Sequence, residues 1–240
     1  VSETLVQQKT ELEKKKTEQG SLLKSKVKEN NDLVAVKRRK DKIFTQLTKR
    51  EKELRAELAS RKKAMDDLNT LIADIIKKEI ERTSGGKSTT KVSLTPEAAL
   101  LSLSFEGNKN KLPWPVEIGF VSAKFGKHPH PVLKNIMTEN PGVDIQTEKQ
   151  AQVRAVFDGE VSSVAFVPGM NNVVIVKHGD YLTLYARLKN INPNITRGYP
   201  IKAKESIGQV FTDNNDNTEV HFEVWKNFDK LNPERWLFSK

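Results

Sequence analysis

The stretch "TEVHFEVWK" (Thr218–Lys226) alternates polar and apolar residues, the pattern of a strand with one buried face. Successive side chains of a strand point to opposite sides. Val220, Phe222 and Val224 are therefore expected on the core side. Glu219, His221, Glu223 and Trp225 share the other side, where Trp225 is expected either at the rim of a groove, as a rigid aromatic anchor for a partner, or packed on a neighbouring loop. The texture continues outward. "NVVIVKH" (Asn172–His178) and "YLTLYARL" (Tyr181–Leu188) flank Gly179-Asp180, and "AQVRAV" (Ala151–Val156) and "EVSSVAFV" (Glu160–Val167) flank Asp158-Gly159. Both dipeptides are hairpin signals. Strands at this spacing predict a mostly antiparallel β domain over 114–240, long enough to bury a core.

The N-terminal third reads differently. Residues 1–83 contain no proline and a single glycine, Gly20. From Phe44 onward a heptad runs through Leu47, Leu54, Leu58, Met65, Leu68, Ile72 and Ile75, interrupted by Glu51 and Arg61. A repeat of 3.5 keeps one apolar seam turned toward a partner helix. Leu5, Leu12, Leu23 and Leu33 extend the frame backwards, but Lys9, Lys16, Lys37 and Lys40 also occupy its core positions. The stretch is either one helix of about 120 Å or a hairpin turning near Asn30-Asn31. Its seam needs a second copy, an upstream helix or another protein. "TSGGKSTTK" (Thr83–Lys91) has linker composition. Within 84–113 a short helix is predicted at about 96–105, with Thr95 as cap, Pro96 at its first position, and Leu100, Leu101, Leu103 and Phe105 docking on something. The fold class is α+β: long coiled-coil helices, then a β domain.

Composition narrows the chemistry. The chain has 240 residues, no cysteine and a net charge of +10, so disulfides and thiolate catalysis are excluded. Residues 1–85 carry +7 of that charge and 86–240 carry +3. A basic surface meets nucleic acid, anionic lipid or anionic glycan. A nucleic-acid role is not supported, because Phe44 is the only aromatic residue of the basic half and no recognition motif is present. The first residue is Val1 rather than Met, which points to a removed upstream segment.

"FGKHPHP" (Phe125–Pro131), "NPGVDI" (Asn140–Ile145), "VFDGEV" (Val156–Val161), "VKHGDYLTLYARL" (Val176–Leu188), "IGQV" (Ile207–Val210) and "VHFEV" (Val220–Val224) follow one another in a way that resembles the lysostaphin/LytM-type metallopeptidases from roughly Trp114 to Leu237. That resemblance implies a zinc held by the His and Asp of an H-x-x-x-D motif and the second His of H-x-H, with further histidines in catalysis. Carried over by position, the first ligand is Asn140 and the second Asp144, the Y-x-H motif reads Tyr185-Ala186-Arg187, and the H-x-H motif reads Glu219-Val220-His221. Two relic ligands, Asp144 and His221, remain. Catalytic zinc needs three protein ligands and an open position, and Arg187 cannot accept a proton. The expectation is no bound metal or cofactor, and an Arg187–Glu219 ion pair in the old active site. His130 is read as ordering its Pro-rich loop, His128 as a surface residue and His178 as a strand-end residue.

A coil, an apolar helix, "FEGNKNKLPWPV" (Phe105–Val116) and a LytM-like domain without its zinc residues together resemble the EnvC family of murein hydrolase activators. The resemblance implies an exported, periplasmic pseudoenzyme of the bacterial cell envelope. Its groove (Asn140, Asp144, Tyr185, Arg187, Glu219, His221, Glu223, Trp225) would bind and switch on a peptidoglycan amidase during cell separation. Its coil would dock to an FtsE–FtsX-type membrane complex. The helix carrying Leu100, Leu101, Leu103 and Phe105 would cover the groove at rest. Two other readings stand beside it: a weakly active zinc endopeptidase using Asp144, His221 and an unorthodox third ligand, and a structural coiled-coil protein that self-associates or binds peptidoglycan.

Overall fold

The computed structural model describes residues 2–84, 94–133 and 135–239. The chain divides into two compact units, Val1–Glu57 and Leu58–Lys240. The first belongs to α1 (Ser2–Ser84), one α-helix in which Lys28–Asp32 stays helical, so the hairpin alternative falls away. No proline or glycine stands near Asn30-Asn31 to break it. The boundary between the two compact units lies inside α1, and the Gly85-Gly86 linker lies outside the described residues. Among the described residues, no helix is long and apolar enough to cross a membrane.

The second unit adds α2 (Pro96–Gly107) and twelve strands: β1 (Phe120–Ala123), β2 (Gly126–Pro129), β3 (Met137–Asn140), β4 (Val143–Gln146), β5 (Gln152–Arg154), β6 (Gly159–Val167), β7 (Asn171–His178), β8 (Tyr181–Ile191), β9 (Pro200–Ile201), β10 (Ser206–Val210), β11 (Glu219–Lys226) and β12 (Asp229–Leu231). The main sheet runs β1-β4-β11-β8-β7-β6-β9, all antiparallel, while β2 and β3 form a separate hairpin. Gly179-Asp180 makes the expected β7–β8 hairpin, with His178 opposite Tyr181. Asp158-Gly159 does not make one. β5 pairs with β10, and β6 pairs with β7 and β9. Asp158 instead accepts from Ala203 N and Lys202 Nζ. Gly159 is needed for close approach, since a Cβ there would collide with the Lys177 carbonyl and the His178 ring.

The two faces of the sheet bury different partners. On one, Val220, Phe222 and Val224 join Tyr185, Val174, Val176 and Ile145 in the main core, as the alternation of the opening stretch predicts. On the other, Ala64, Leu68, Ile72 and Ile76 of α1 pack on Val173, Ile175, Leu182, Leu184, Ala186 and Trp225. The partner of this part of the seam is thus the chain's own sheet. The buried stripe runs at i, i+4, i+8 and i+12, a straight-helix row suited to packing on a surface, and not the 3.5 repeat of a supercoil.

α2 is built as the sequence predicts. Thr95 Oγ1 accepts from Ala98 N at 3.2 Å and Pro96 occupies the first turn. Phe105 is fully buried in the main core, stacked on His178 at 4.8 Å and packed on Tyr181 and Trp236. Leu100 and Leu103, expected to dock, are exposed, at 68% and 67%. The helix is held at the β7–β8 turn, where Ser102 Oγ accepts from Asp180 N at 2.8 Å. Gly179 has φ +77°, and a Cβ there would collide with Ser102 Oγ and the Ala98 carbonyl. Lys226 Nζ ties Glu106 at 3.2 Å to Tyr181 OH at 2.9 Å.

His178 ties the domain's stability to acid. Its Nδ1 meets the Asp158 carbonyl at 2.6 Å and its Nε2 meets Thr183 Oγ1 at 2.8 Å. Burial, opposed by the bond to that carbonyl, pushes the ring down from its ordinary 6.5 to about 4. The folded chain therefore holds it neutral. Its contribution is complete above about 6.5 and is lost as pH falls through 4.

Candidate functional site

The strand alternation, one bulge and one helix assemble the candidate site. β11 sends Glu219, His221, Glu223 and Trp225 to the side facing α1, and β4 brings Asp144 opposite His221. β8 contributes Arg187 through an irregularity. Asn172 pairs with Leu188 while Val174 pairs with Tyr185, so β8 carries one extra residue, and Arg187 takes φ +63°. A bulge re-aims a side chain that alternation would send to the core. A non-glycine residue in this region costs on the order of 1–3 kcal/mol.

The result is a line of alternating charges. Glu219 Oε2 accepts from Arg187 Nη1 at 2.6 Å, and Arg187 Nη2 lies 3.7 Å from Asp144 Oδ2. Asp144 Oδ1 meets His221 Nδ1 at 2.7 Å, and His221 Nε2 meets Glu223 Oε1 at 2.7 Å. The other Glu223 oxygen accepts from the Trp225 indole. Ser122 Oγ donates to Glu219 Oε1 at 2.8 Å. His221 and Glu223 are fully buried and Asp144 nearly so. Burial alone would depress the imidazole, but the bonds to Asp144 and Glu223 outweigh it and raise His221 to about 9. Burial would raise the Asp144 carboxyl. The His221 bond and the Arg187 and Arg61 guanidinium charges hold it at about 2 instead. His221 is therefore an imidazolium at neutral pH and donates from both nitrogens.

These residues do not fit a catalytic zinc. Both His221 nitrogens are taken up by carboxylate oxygens at 2.7 Å, Asp144 on one side and Glu223 on the other, so neither faces an open metal position. The Asn140 amide oxygen is occupied by Gly142 N at 3.1 Å, and its amide nitrogen lies 3.4 Å from the Ala123 carbonyl. The Arg187 guanidinium stands beside Asp144, adding a fixed positive charge. Elemental analysis after dialysis should accordingly find well under one zinc per chain. Converting Asn140, Arg187 and Glu219 together to histidine should bring the content toward one. A stoichiometric zinc in the unaltered chain would overturn this account of the charge line.

The histidine pair also sets a pH profile. The folded pKa of His221 lies above its ordinary 6.5, so its contribution is complete below about 6.5 and lost as pH rises through 9. That of His178 runs the opposite way. Each is worth on the order of 3 kcal/mol at 1.36 kcal/mol per pKa unit. Denaturant midpoints should peak near pH 6–7. His221→Gln should flatten the alkaline limb and His178→Gln the acid limb. A profile unchanged by both substitutions would refute the assignment.

The expected groove set divides. Asp144, Arg187, Glu219, His221, Glu223 and Trp225 come together in one line, while the Asn140 side chain is bonded to Gly142 N and faces the Ala123 carbonyl. Nor does Tyr185 join the line. It points to the main core, fully buried, with its hydroxyl accepting from Val156 N at 2.9 Å, and burial pushes that phenol up to about 12. Glu223 and Trp225 are closed over, with Trp225 only 5% exposed, so Trp225 is a packed residue and not a rim anchor. His130 orders its loop, its Nδ1 accepting from Val132 N and Leu133 N, while His128 is half-buried against the Phe125 carbonyl. Sequence reasoning missed Ser122 and Arg61. The signal for Arg61 was its position. It breaks the heptad three residues before buried Ala64, and its charge acts on Asp144 and Asp213.

Residues 138–233 match Peptidase family M23. That stretch runs from β3 to the turn after β12, so the similarity to M23 peptidases falls on the β unit. The chain is 28% identical over 144 residues to the cell division protein DipM of Caulobacter vibrioides, which covers 59% of this chain and 22% of that one. It is 31% identical over 100 residues to the murein hydrolase activator NlpD of Escherichia coli, covering 41% and 26%. The chain therefore spans about a quarter of the length of these curated relatives. Among solved structures, Csd3 of Helicobacter pylori aligns at 25% identity with a TM-score of 0.47, covering 54% of this chain and 35% of that one.

Proposed function

We propose that the chain is a non-catalytic activator that binds and switches on a peptidoglycan amidase in the periplasm during cell-wall remodelling or cell separation. The observation that carries this reading is the charge line itself. Where an M23 peptidase would hold a metal-activated water, this chain holds an arginine–carboxylate–imidazolium–carboxylate chain with no free base. The relatives whose names state murein hydrolase activation and cell division support the same reading. In it, the side of the sheet carrying Ala186, Leu184 and Trp225 is the amidase-binding surface, and residues Ala64–Ile76 of α1 occupy it at rest. Residues 2–57 of α1 provide the surface for a membrane complex of the FtsE–FtsX type.

The test is release of label from dye-bound murein. The chain alone should release none above background, and a candidate amidase should release several-fold more when the chain is added. Release by the chain alone, abolished by a chelator, would replace this reading with a zinc endopeptidase.

A further inference from the structure

The main sheet ends at β6 in an edge that the chain covers only in part. β9 pairs with Gly159 and Glu160. Val161 N donates to the Tyr199 carbonyl, and the Val161 carbonyl accepts from Gly198 N. Past Val161, no strand pairs with the far side of β6 among the described residues. Ser163–Val167 runs on in unbroken register with β7, from Ser163 opposite Ile175 to Val167 opposite Asn171. Every second residue of such an edge turns its N–H and C=O outward, where another strand can take them up.

This stretch lacks the devices that keep edges apart. "SVAFV" (Ser163–Val167) has no charge, no proline and no glycine, in a chain of net charge +10. β1, at the other end of the sheet, is four residues long, is irregular between Val121 and Ala123, and is followed by Lys124. Short length, a bulge and a lysine are the usual protections of an edge.

The side chains select the occupant. Val164 and Phe166 stand opposite Val174 and Asn172 on the main-core side, yet they are 38% and 66% exposed. Ser163 and Ala165, opposite Ile175 and Val173, are small and lie on the α1 side. Antiparallel pairing of the edge with itself about Ala165 sets Val164 of one copy against Phe166 of the other, and the two-fold axis repeats the contact. An aromatic ring beside a β-branched side chain is a stabilising cross-strand pair. With no charge in the stretch, two copies of a basic chain meet there without like-charge conflict. Pairing in this way also consumes the edge, so the assembly closes at two.

We infer that Ser163–Val167 joins two copies of this chain, making one sheet continuous across a two-fold axis. The inference is independent of the amidase reading and of any pairing by the helix of residues 2–57.

Sedimentation velocity of the full chain over a range of concentrations should show a dimer in exchange with monomer. Phe166→Lys and Val164→Lys should each weaken it by at least about tenfold, because each sets a lysine on an apolar side chain twice per dimer. Both positions are exposed, and tryptophan fluorescence verifies the fold of the β unit. Phe44→Lys, on the exposed helix of the first unit, should leave the dimer unchanged. The chain has no cysteine, so introduced thiols report the register. Directly opposed residues of an antiparallel pair have Cα atoms about 4.5–5.5 Å apart, within disulfide reach. Ala165→Cys should therefore cross-link to its own copy under mild oxidation. Ser163→Cys, more than about 12 Å from its counterpart in this register, should not. A chain that stays monomeric, a dimer dispersed by Phe44→Lys and not by Phe166→Lys, or equal cross-linking at the two positions would overturn the proposal.

Discussion

Phe105→Ala should remove about 3–5 kcal/mol of stability, the range for emptying an aromatic site in a core. The side chain is fully buried, with His178, Tyr181, Phe157 and Trp236 around it at ring separations of 4.8–5.4 Å. These neighbours belong to separate segments, so the cavity cannot close by moving one of them. The loss should also undock α2, leaving Ser102 and Gly179 without their fit. Chemical denaturation monitored by tryptophan fluorescence measures it, since Trp236 lines the cavity. Leu103→Ala, on the exposed side of the same helix, should change stability by less than about 0.5 kcal/mol. Equal effects from the two substitutions would mean that α2 does not contribute to the core. This expectation reverses the role first assigned to the helix from sequence. A segment whose aromatic ring completes the core is a fixed part of the domain, not a removable cover.

Replacing Leu68 and Ile72 together with glutamate should free the opposite face of the sheet. Both are essentially fully buried against Ile175, Leu184 and Trp225. Fully burying one such side chain is worth about 1.5–3 kcal/mol, and placing a carboxylate there adds a desolvation cost. The variant should keep the main core, which contains neither residue. On the proposed activator reading, amidase stimulation should rise by at least about tenfold, because the closed population no longer competes. Arg61→Glu should act in the same direction more weakly. It places a negative charge near Asp144 and Asp213, where a positive one now stands. Unchanged stimulation by the double variant, with helix release verified by hydrogen exchange of residues 64–76, would place the amidase footprint elsewhere.

What the sequence disclosed followed from period. The two-residue alternation of Val220, Phe222 and Val224 placed them in the core. Gly179-Asp180 marked a true hairpin, and Thr95-Pro96 marked the start of a helix. The charge pair of Arg187 and Glu219 was legible from position within the motifs. Three features were not. A one-residue bulge beside Ala186 sends Tyr185 and Arg187 to opposite sides, and motif spacing counts residues without registering which way they face. The apolar seam of α1 has the same composition whether it meets a helix or a sheet. Only the shift from Ile75 to Ile76 as the buried residue reveals a straight row. Trp225 stayed open between an exposed anchor and a packed ring, because local alternation says nothing about what covers the second face. Asp158-Gly159 failed for a related reason, as its glycine answers to crowding by Lys177 and His178 rather than to a turn.

The line from Glu219 to Glu223 has a further consequence for how the domain is made. A zinc-dependent fold must wait for an ion from its surroundings, and its assembly follows the supply. Here the positive charges that balance Asp144 and Glu223 are translated with the polypeptide, as Arg187 and His221. On the proposed non-catalytic reading, assembly of this domain is uncoupled from the supply of zinc, whereas a peptidase that holds the ion between such strands depends on it.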